Sequence, residues 1–178
     1  MNQGQQQAVK YDELYTPEYA VFPLLPYLFQ MKDFLERNDL KCNIWECCGN
    51  NSTITKVLRH CDFTVFETHI DDGIDFLKDD PDFEYHLIIT NPPYSIKDQF
   101  LKRAYELEVP FAFLLPITAL AGVKRGKMYR QNGVQVLVLD KRVDYTGKGN
   151  NWKNTSWFCW NLLPADLVFA KLDKEVKL

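Results

Sequence analysis

Asn91-Pro92-Pro93-Tyr94 constrains this chain more than any other stretch. It follows the apolar run Tyr85-His86-Leu87-Ile88-Ile89-Thr90, which reads as a buried strand. Neither proline can donate an N–H to a sheet ladder, so the strand must stop here and the backbone must leave it stiffly. The exit presents one amide side chain, carbonyls beyond the reach of sheet pairing, and one aromatic ring. Such a corner can hold a flat heteroaromatic group bearing an exocyclic –NH2. Oδ1 of Asn91 and the carbonyl of Pro92 would accept the two amine hydrogens, and the ring of Tyr94 would stack. Accepting both hydrogens localises the nitrogen lone pair, and acceptors placed where positive charge develops stabilise a transition state electrostatically. The bland alternative is a proline-rich strand-to-helix turn with a chance asparagine.

Around this corner the pattern alternates between strand and helix. Cys42–Glu46 reads as a short buried strand, and Cys47–Asn51 as a turn. Asn51 or Ser52 can cap a helix running to about His60, and Phe63–Thr68 reads as a second strand. After Asn91–Tyr94 comes an amphipathic helix over about Lys97–Glu108. Strand candidates at Phe111–Leu115 and Val134–Leu139 flank a basic, helix-like stretch. Arg142–Tyr145 and Trp157–Trp160 alternate like an antiparallel hairpin, and Asp166–Phe169 adds a last strand. Upstream, Thr16 can N-cap a helix with Pro17 in its first position, and Pro23 and Pro26 predict a kink or a break. Repeated strand–helix units predict an α/β, doubly wound, mostly parallel sheet with an antiparallel hairpin edge at its C-terminal end. Residues 1–10, polar and Gln-rich, read as a flexible N-terminal arm, and residues 11–178 as a single domain.

Length and composition fit that reading: 178 residues, 46% apolar and 25% charged, with a net charge of −3. No apolar run is long enough to span a bilayer and no signal peptide is visible, so a cytoplasmic location is expected. Five cysteines without framework spacing, two of them adjacent, read as reduced structural thiols, and no metal site is expected.

In such a sheet ligands bind beyond the C-terminal strand ends. Glu46, the segment Glu67–His69 and Asn91–Tyr94 would then face one crevice. The turn after Glu46 has one glycine and no lysine, unlike a phosphate-cradling loop. A carboxylate there suits a cationic group such as the amine of an amino-acid-like cofactor, the alternative being a solvated strand-end acid.

Taken together, these segments resemble the class I S-adenosylmethionine-dependent amino-methyltransferases of the N6-adenine type, and most of all their small bacteriophage-encoded forms. Asn91-Pro92-Pro93-Tyr94 matches the catalytic motif of that family in full. Tyr15-Thr16-Pro17 resembles its cofactor-touching segment before the first strand, Glu46–Asn51 its glycine loop, and Gly73–Leu77 its Gly-x-Asp-Phe-Leu segment. The resemblance implies a Rossmann-like methyltransferase sheet with S-adenosyl-L-methionine as cofactor. It also implies Asn91, Pro92, Pro93 and Tyr94 as catalytic residues. The implied cofactor contacts are Tyr15, Thr16, Pro17, Glu46, Gly49, His69, Asp75, Phe76 and Asn91. Asp75 would hydrogen-bond the adenine amine and Phe76 would pack on the ring. For a phage-encoded chain the cytoplasm would be the host's. Two positions depart from the family: the second loop glycine is replaced within Asn50-Asn51-Ser52, and His69 stands where a ribose-gripping carboxylate is usual.

The implied reaction is methyl transfer to N6 of adenine, in DNA by first expectation. RNA adenine, cytosine N4 and a protein glutamine amide present the same planar –NH2 and stay open. So does a non-catalytic binding or decoy protein of the same fold. A nucleic-acid partner would meet two local basic groups. One is Lys124, Arg125, Lys127 and Arg130. The other is Lys141, Arg142, Lys148 and Lys153 around Trp152, whose ring could stack on a base.

Overall fold

The computed structural model describes residues 15–147, 149 and 152–176, apart from the side chain of Trp152. The expected N-terminal arm, Lys148 and the Trp152 ring therefore lie outside the described residues. The chain enters through two 3-10 turns, Glu18–Ala20 and Phe22–Leu24, and then helix α1 (Leu25–Glu36), which carries Pro26 in its first turn. The proline-induced break is thus present. Thr16, however, caps nothing: the residue before the first turn is Pro17, without a side-chain capping bond.

Strand β1 (Asn43–Glu46) leads to helix α2 (Thr53–His60) and strand β2 (Thr64–Glu67). Ser52 caps α2, its Oγ accepting from the Ile54 N–H at 3.1 Å. Strand β3 (Leu87–Thr90) ends at the Asn91-Pro92-Pro93 exit, followed by a 3-10 turn (Tyr94–Ile96) and helix α3 (Lys97–Glu106). Strand β4 (Phe111–Pro116), a 3-10 turn (Ile117–Leu120), helix α4 (Val123–Asn132) and strand β5 (Gln135–Leu139) come next. The chain closes with β6 (Val143–Asp144), β7 (Trp152–Lys153), β8 (Thr155–Trp160) and β9 (Leu167–Ala170).

Seven strands form one sheet in the order β2-β1-β3-β4-β8-β5-β9, parallel except for β8, which runs antiparallel to both β4 and β5. The fold is therefore α/β, mostly parallel and covered by helices on both faces. The antiparallel element comes from the expected stretch but occupies a different place. β6 pairs with β7 in a separate two-stranded ribbon, and β8 sits inside the main sheet rather than at its edge. Burial explains this. Trp157 and Cys159 pack into the core on one face and Phe158 into the core on the other, so an edge position would leave large rings in water. The edge goes to β9, where Leu167 and Phe169 are exposed.

Side-chain alternation splits the core in two. On one face Leu87, Ile89, Ala112 and Leu114 meet Leu24 and Leu28 of the entry segment and Ile54, Val57 and Leu58 of α2. On the other, Ile88, Phe111, Phe113 and Leu115 meet Phe100, Leu101 and Ala104 of α3. The entry segment is pinned by Trp157, whose Nε1 donates to the Ala20 carbonyl at 2.8 Å, and by Tyr19, whose hydroxyl accepts from the Asp144 N–H at 2.9 Å. That pinning carries Tyr15 and Thr16 to the C-terminal end of the strands. All five cysteines are free thiols, with Cys42, Cys47 and Cys159 buried. Among the described residues no helix is long and apolar enough to cross a membrane.

Candidate active site

β1 pairs with β2 on one side and β3 on the other, so the connection that follows β1 and the one that follows β3 run in opposite directions along the sheet. A crevice opens at such a switch point. Here it encloses about 980 Å³ of open space, its solvent-filled mouth included. Tyr15, Thr16, Glu46, His69, Asp75, Phe76 and Asn91 all line it. Pro93 lines it as well, whereas Pro17, Gly49, Pro92 and Tyr94 do not.

Glu46 stands at the end of β1 and is 1% exposed, so it is not a solvated strand-end acid. Its Oε1 accepts from the Thr90 hydroxyl and from the Cys48 N–H at 3.1 Å, and its Oε2 accepts from the Ser52 hydroxyl at 3.2 Å. Burial pushes its carboxyl up to about 7, against the three hydrogen bonds, which favour the ionised form. The loop beyond it wraps a second carboxylate. Glu67, opposite Glu46 in the β1–β2 register, accepts the Ser52 N–H at 2.6 Å. Gly49 crosses directly over these side chains: a Cβ there would lie 2.3 Å from Cγ of Glu67 and 2.7 Å from Cγ of Glu46. Asn51 has φ of 57°, so the turn keeps a left-handed residue without a second glycine. Asparagine tolerates that region better than most side chains.

His69 is 8% exposed, and its Nδ1 accepts the Asp71 N–H at 3.2 Å, capping the 3-10 turn Ile70–Asp72. The imidazole therefore lines the crevice with one nitrogen committed to the backbone. Gly73 closes that turn with φ of 89°. Asp75 also lines the crevice while serving its own segment: Oδ1 accepts the Leu77 N–H at 3.0 Å and Oδ2 pairs with Lys78 at 2.6 Å. Phe76 is a core ring with one side at the crevice, stacked on Phe100 at 4.9 Å and edge-on to Trp45 at 5.2 Å.

At the double-proline corner, Nδ2 of Asn91 donates to Oγ1 of Thr16 at 3.1 Å. Since the amide is planar, this points Oδ1 away from Thr16. Pro92 is buried, and Tyr94 is half-buried beside the crevice. The Tyr94 hydroxyl lies 3.1 Å from that of Tyr145, which donates to Oγ1 of Thr155 at 3.1 Å. Lys97 Nζ donates to the Tyr94 carbonyl at 2.9 Å. The ring is thus held by its hydroxyl on one side and by its own backbone on the other.

Thr90, Ser52, Glu67 and Tyr145 support the site. Sequence reasoning named Ser52 as a helix cap and set Glu67 at the crevice, but not their hold on the loop after Glu46. Thr90 and Tyr145 escaped it as site residues; Thr90 carried a signal, being the last polar residue of a buried strand beside Asn91, whereas Tyr145 acts through an approach between distant segments that no periodicity encodes.

The basic groups divide. Lys124, Lys127, Arg130, Lys141, Arg142 and Lys153 are exposed. Arg125 is not available in the same way. Its Nη1 pairs with Asp98 at 2.5 Å, its Nε donates to the Ala119 carbonyl at 2.8 Å and its Nη2 donates to the Ala121 carbonyl. Its guanidinium holds the α3–α4 junction together. No group of three or more metal-ligating side chains occurs among the described residues.

No protein-family model matches the chain. No curated protein matches it either. Among solved structures it is similar to protein Atu636 of Agrobacterium tumefaciens, described as a predicted O-methyltransferase. That likeness has a TM-score of 0.39 and 12% identity, over 73% of this chain and 77% of that one. It is also similar to a chain from Vibrio vulnificus YJ016 assigned as the modification subunit of a type I restriction enzyme. Here the TM-score is 0.49 at 12% identity, over 97% of this chain but only 50% of that one. At such identities and TM-scores neither likeness says what this chain does.

Proposed function

We propose that this protein is an S-adenosyl-L-methionine-dependent methyltransferase acting on an exocyclic aromatic amine, with N6 of adenine in DNA as the leading substrate. The observation that carries this reading is the Asn91–Thr16 hydrogen bond in a crevice that Glu46, His69, Asp75 and Phe76 also line.

The crevice suits the cofactor in the chemistry of its lining. Glu46 offers a carboxylate to an ammonium, and its Oε2 has acceptor capacity beyond the Ser52 bond. His69 offers hydrogen bonding to a ribose hydroxyl. Asp75, Phe76, Ile74 and Leu77 offer one polar group among apolar walls to an adenine. Bound there, S-adenosylmethionine would supply a methyl group on a positively charged sulfur. Asn91 Oδ1 and the Pro92 carbonyl would accept the two hydrogens of the target amine and localise its lone pair. Tyr94 would hold the base by its ring. The nitrogen becomes acidic once alkylated, so no strong general base is needed.

The exposed cations Lys124, Lys127, Lys141, Arg142 and Lys153 support a nucleic-acid substrate. RNA adenine, cytosine N4 and a glutamine amide offer the same –NH2. A second reading has its own observation: both oxygens of Glu46 and one nitrogen of His69 already serve the chain itself, as in a fold kept for binding alone.

Purified protein incubated with methyl-labelled cofactor and unmethylated DNA, RNA or protein tests both. Label is expected in DNA adenine and absent with Asn91→Ala. No transfer to any substrate, with no thermal shift at millimolar cofactor, would favour the non-catalytic reading. Transfer at an undiminished rate in Asn91→Ala would refute the mechanism.

A further inference from the structure

The start of α4 exposes side chains that an isolated surface helix would hide. Val123 is 92% exposed and Leu120, in the preceding 3-10 turn, 43%. Lys124 and Lys127 lie beside them, one turn apart, and α4 carries no carboxylate (VKRGKMYRQN). Met128 and Tyr129 form the side of α4 that packs partly against the core, and Val123, Lys124 and Lys127 are exposed outside that contact.

Two contacts set this surface next to the double-proline corner. Arg125 ties the Ala119–Ala121 turn to Asp98, in the first turn of α3. Lys97, one residue before Asp98, holds the Tyr94 carbonyl. From the other side, the Ile117 N–H donates to the Asn154 carbonyl at 2.8 Å, joining the same turn to the start of β8.

We infer that Leu120, Val123, Lys124 and Lys127 form a contact surface for a nucleic-acid strand with unstacked bases: the lysines on phosphates, the aliphatic pair against base or sugar faces. The inference rests on the proposed function and adds a position for the strand. Charge complementarity favours a polyanion. The aliphatic pair favours one that also offers apolar faces, and stacked duplex offers few.

The test is fluorescence anisotropy with a labelled mixed-sequence single strand over a range of salt, beside calorimetry with S-adenosylmethionine. Lys124→Ala and Lys127→Ala should each flatten the plot of log K against log salt by roughly 0.7, the share of one single-strand phosphate contact. Leu120→Ser and Val123→Ser should leave that slope alone and weaken binding about threefold or more each, from lost apolar contact. Cofactor affinity should not change in any of the four.

No binding by the wild type overturns the inference. So does an unchanged slope in the lysine variants, or unchanged affinity in both serine variants. Equal binding of polyglutamate, with the same response to the variants, would assign the face to acidic proteins instead. The methyl-transfer reading fails by a different result, absence of cofactor heat, which leaves the strand measurement intact.

Discussion

Asn91 and Thr16 lie 75 positions apart and meet side chain to side chain, Nδ2 to Oγ1, at 3.1 Å. In the proposed reaction, the bond decides which end of the Asn91 amide is left for the target amine. Thr16→Val should remove the acceptor while keeping the shape of the side chain. It should lower kcat by about tenfold or more, in line with losing the orientation of one transition-state acceptor. The loss in stability should be ~1 kcal/mol. Single-turnover transfer and urea unfolding measure the two. An unchanged kcat would mean that the amide is oriented by something else.

Glu46 makes stability depend on pH in a stated direction. Its carboxyl is raised from 4.5 to about 7 in the folded chain, chiefly by burial. The folded state therefore binds this proton more tightly than the unfolded state. Its stabilising contribution is complete below pH 4.5 and is lost as pH rises through 7. The shift corresponds to a contribution on the order of 3 kcal/mol. Glu46→Gln keeps the shape without the titration. Denaturant curves from pH 5 to 8 should show the wild type losing stability relative to the variant. Parallel pH profiles would contradict this.

A cation beside Glu46 should reverse that preference, because a neighbouring positive charge favours the ionised carboxylate. Cofactor binding at pH 6.5 should therefore release protons, and its observed heat should vary with the ionisation enthalpy of the buffer. Glu46→Gln should abolish the dependence. Buffer-independent heat in the wild type would place the ammonium elsewhere.

Gly49→Ala puts a Cβ 2.6 Å from Oε1 of Glu67, which now accepts the Ser52 N–H. We expect a loss of roughly 1–3 kcal/mol from overpacking. Glu67→Ala in the same chain should relieve part of it, so the two changes should be non-additive in a double-mutant cycle. Simple additivity would mean that the loop moves rather than Glu67.

Tyr145→Phe removes the hydroxyl that Tyr94 meets at 3.1 Å. Stability should fall by about 1 kcal/mol. Transfer should slow while cofactor affinity holds, since Tyr145 does not line the crevice. Isothermal titration and kcat measured on one preparation separate these effects.

Much of this site lay open in the sequence because its cues are local. Two prolines end a strand wherever they occur, Ser52 caps the helix that follows it, and apolar runs mark strands buried on both faces. Those cues were enough for the strand–helix alternation, for the α/β class and for the segments that meet at the strand ends. Packing between distant segments settled the rest. β8 left the edge for the interior because Trp157, Phe158 and Cys159 need cover on both faces, which depends on which strands have room beside them. Thr16 became a partner of Asn91 rather than a helix cap because Trp157 and Tyr19 pin the entry segment. Arg125 became a structural clasp because Asp98 stands within reach. Pattern and propensity act over a few residues, so the chain alone could name the groups near the crevice. Which of them face it, and which are already occupied by one another, is set by contacts between residues far apart along the chain.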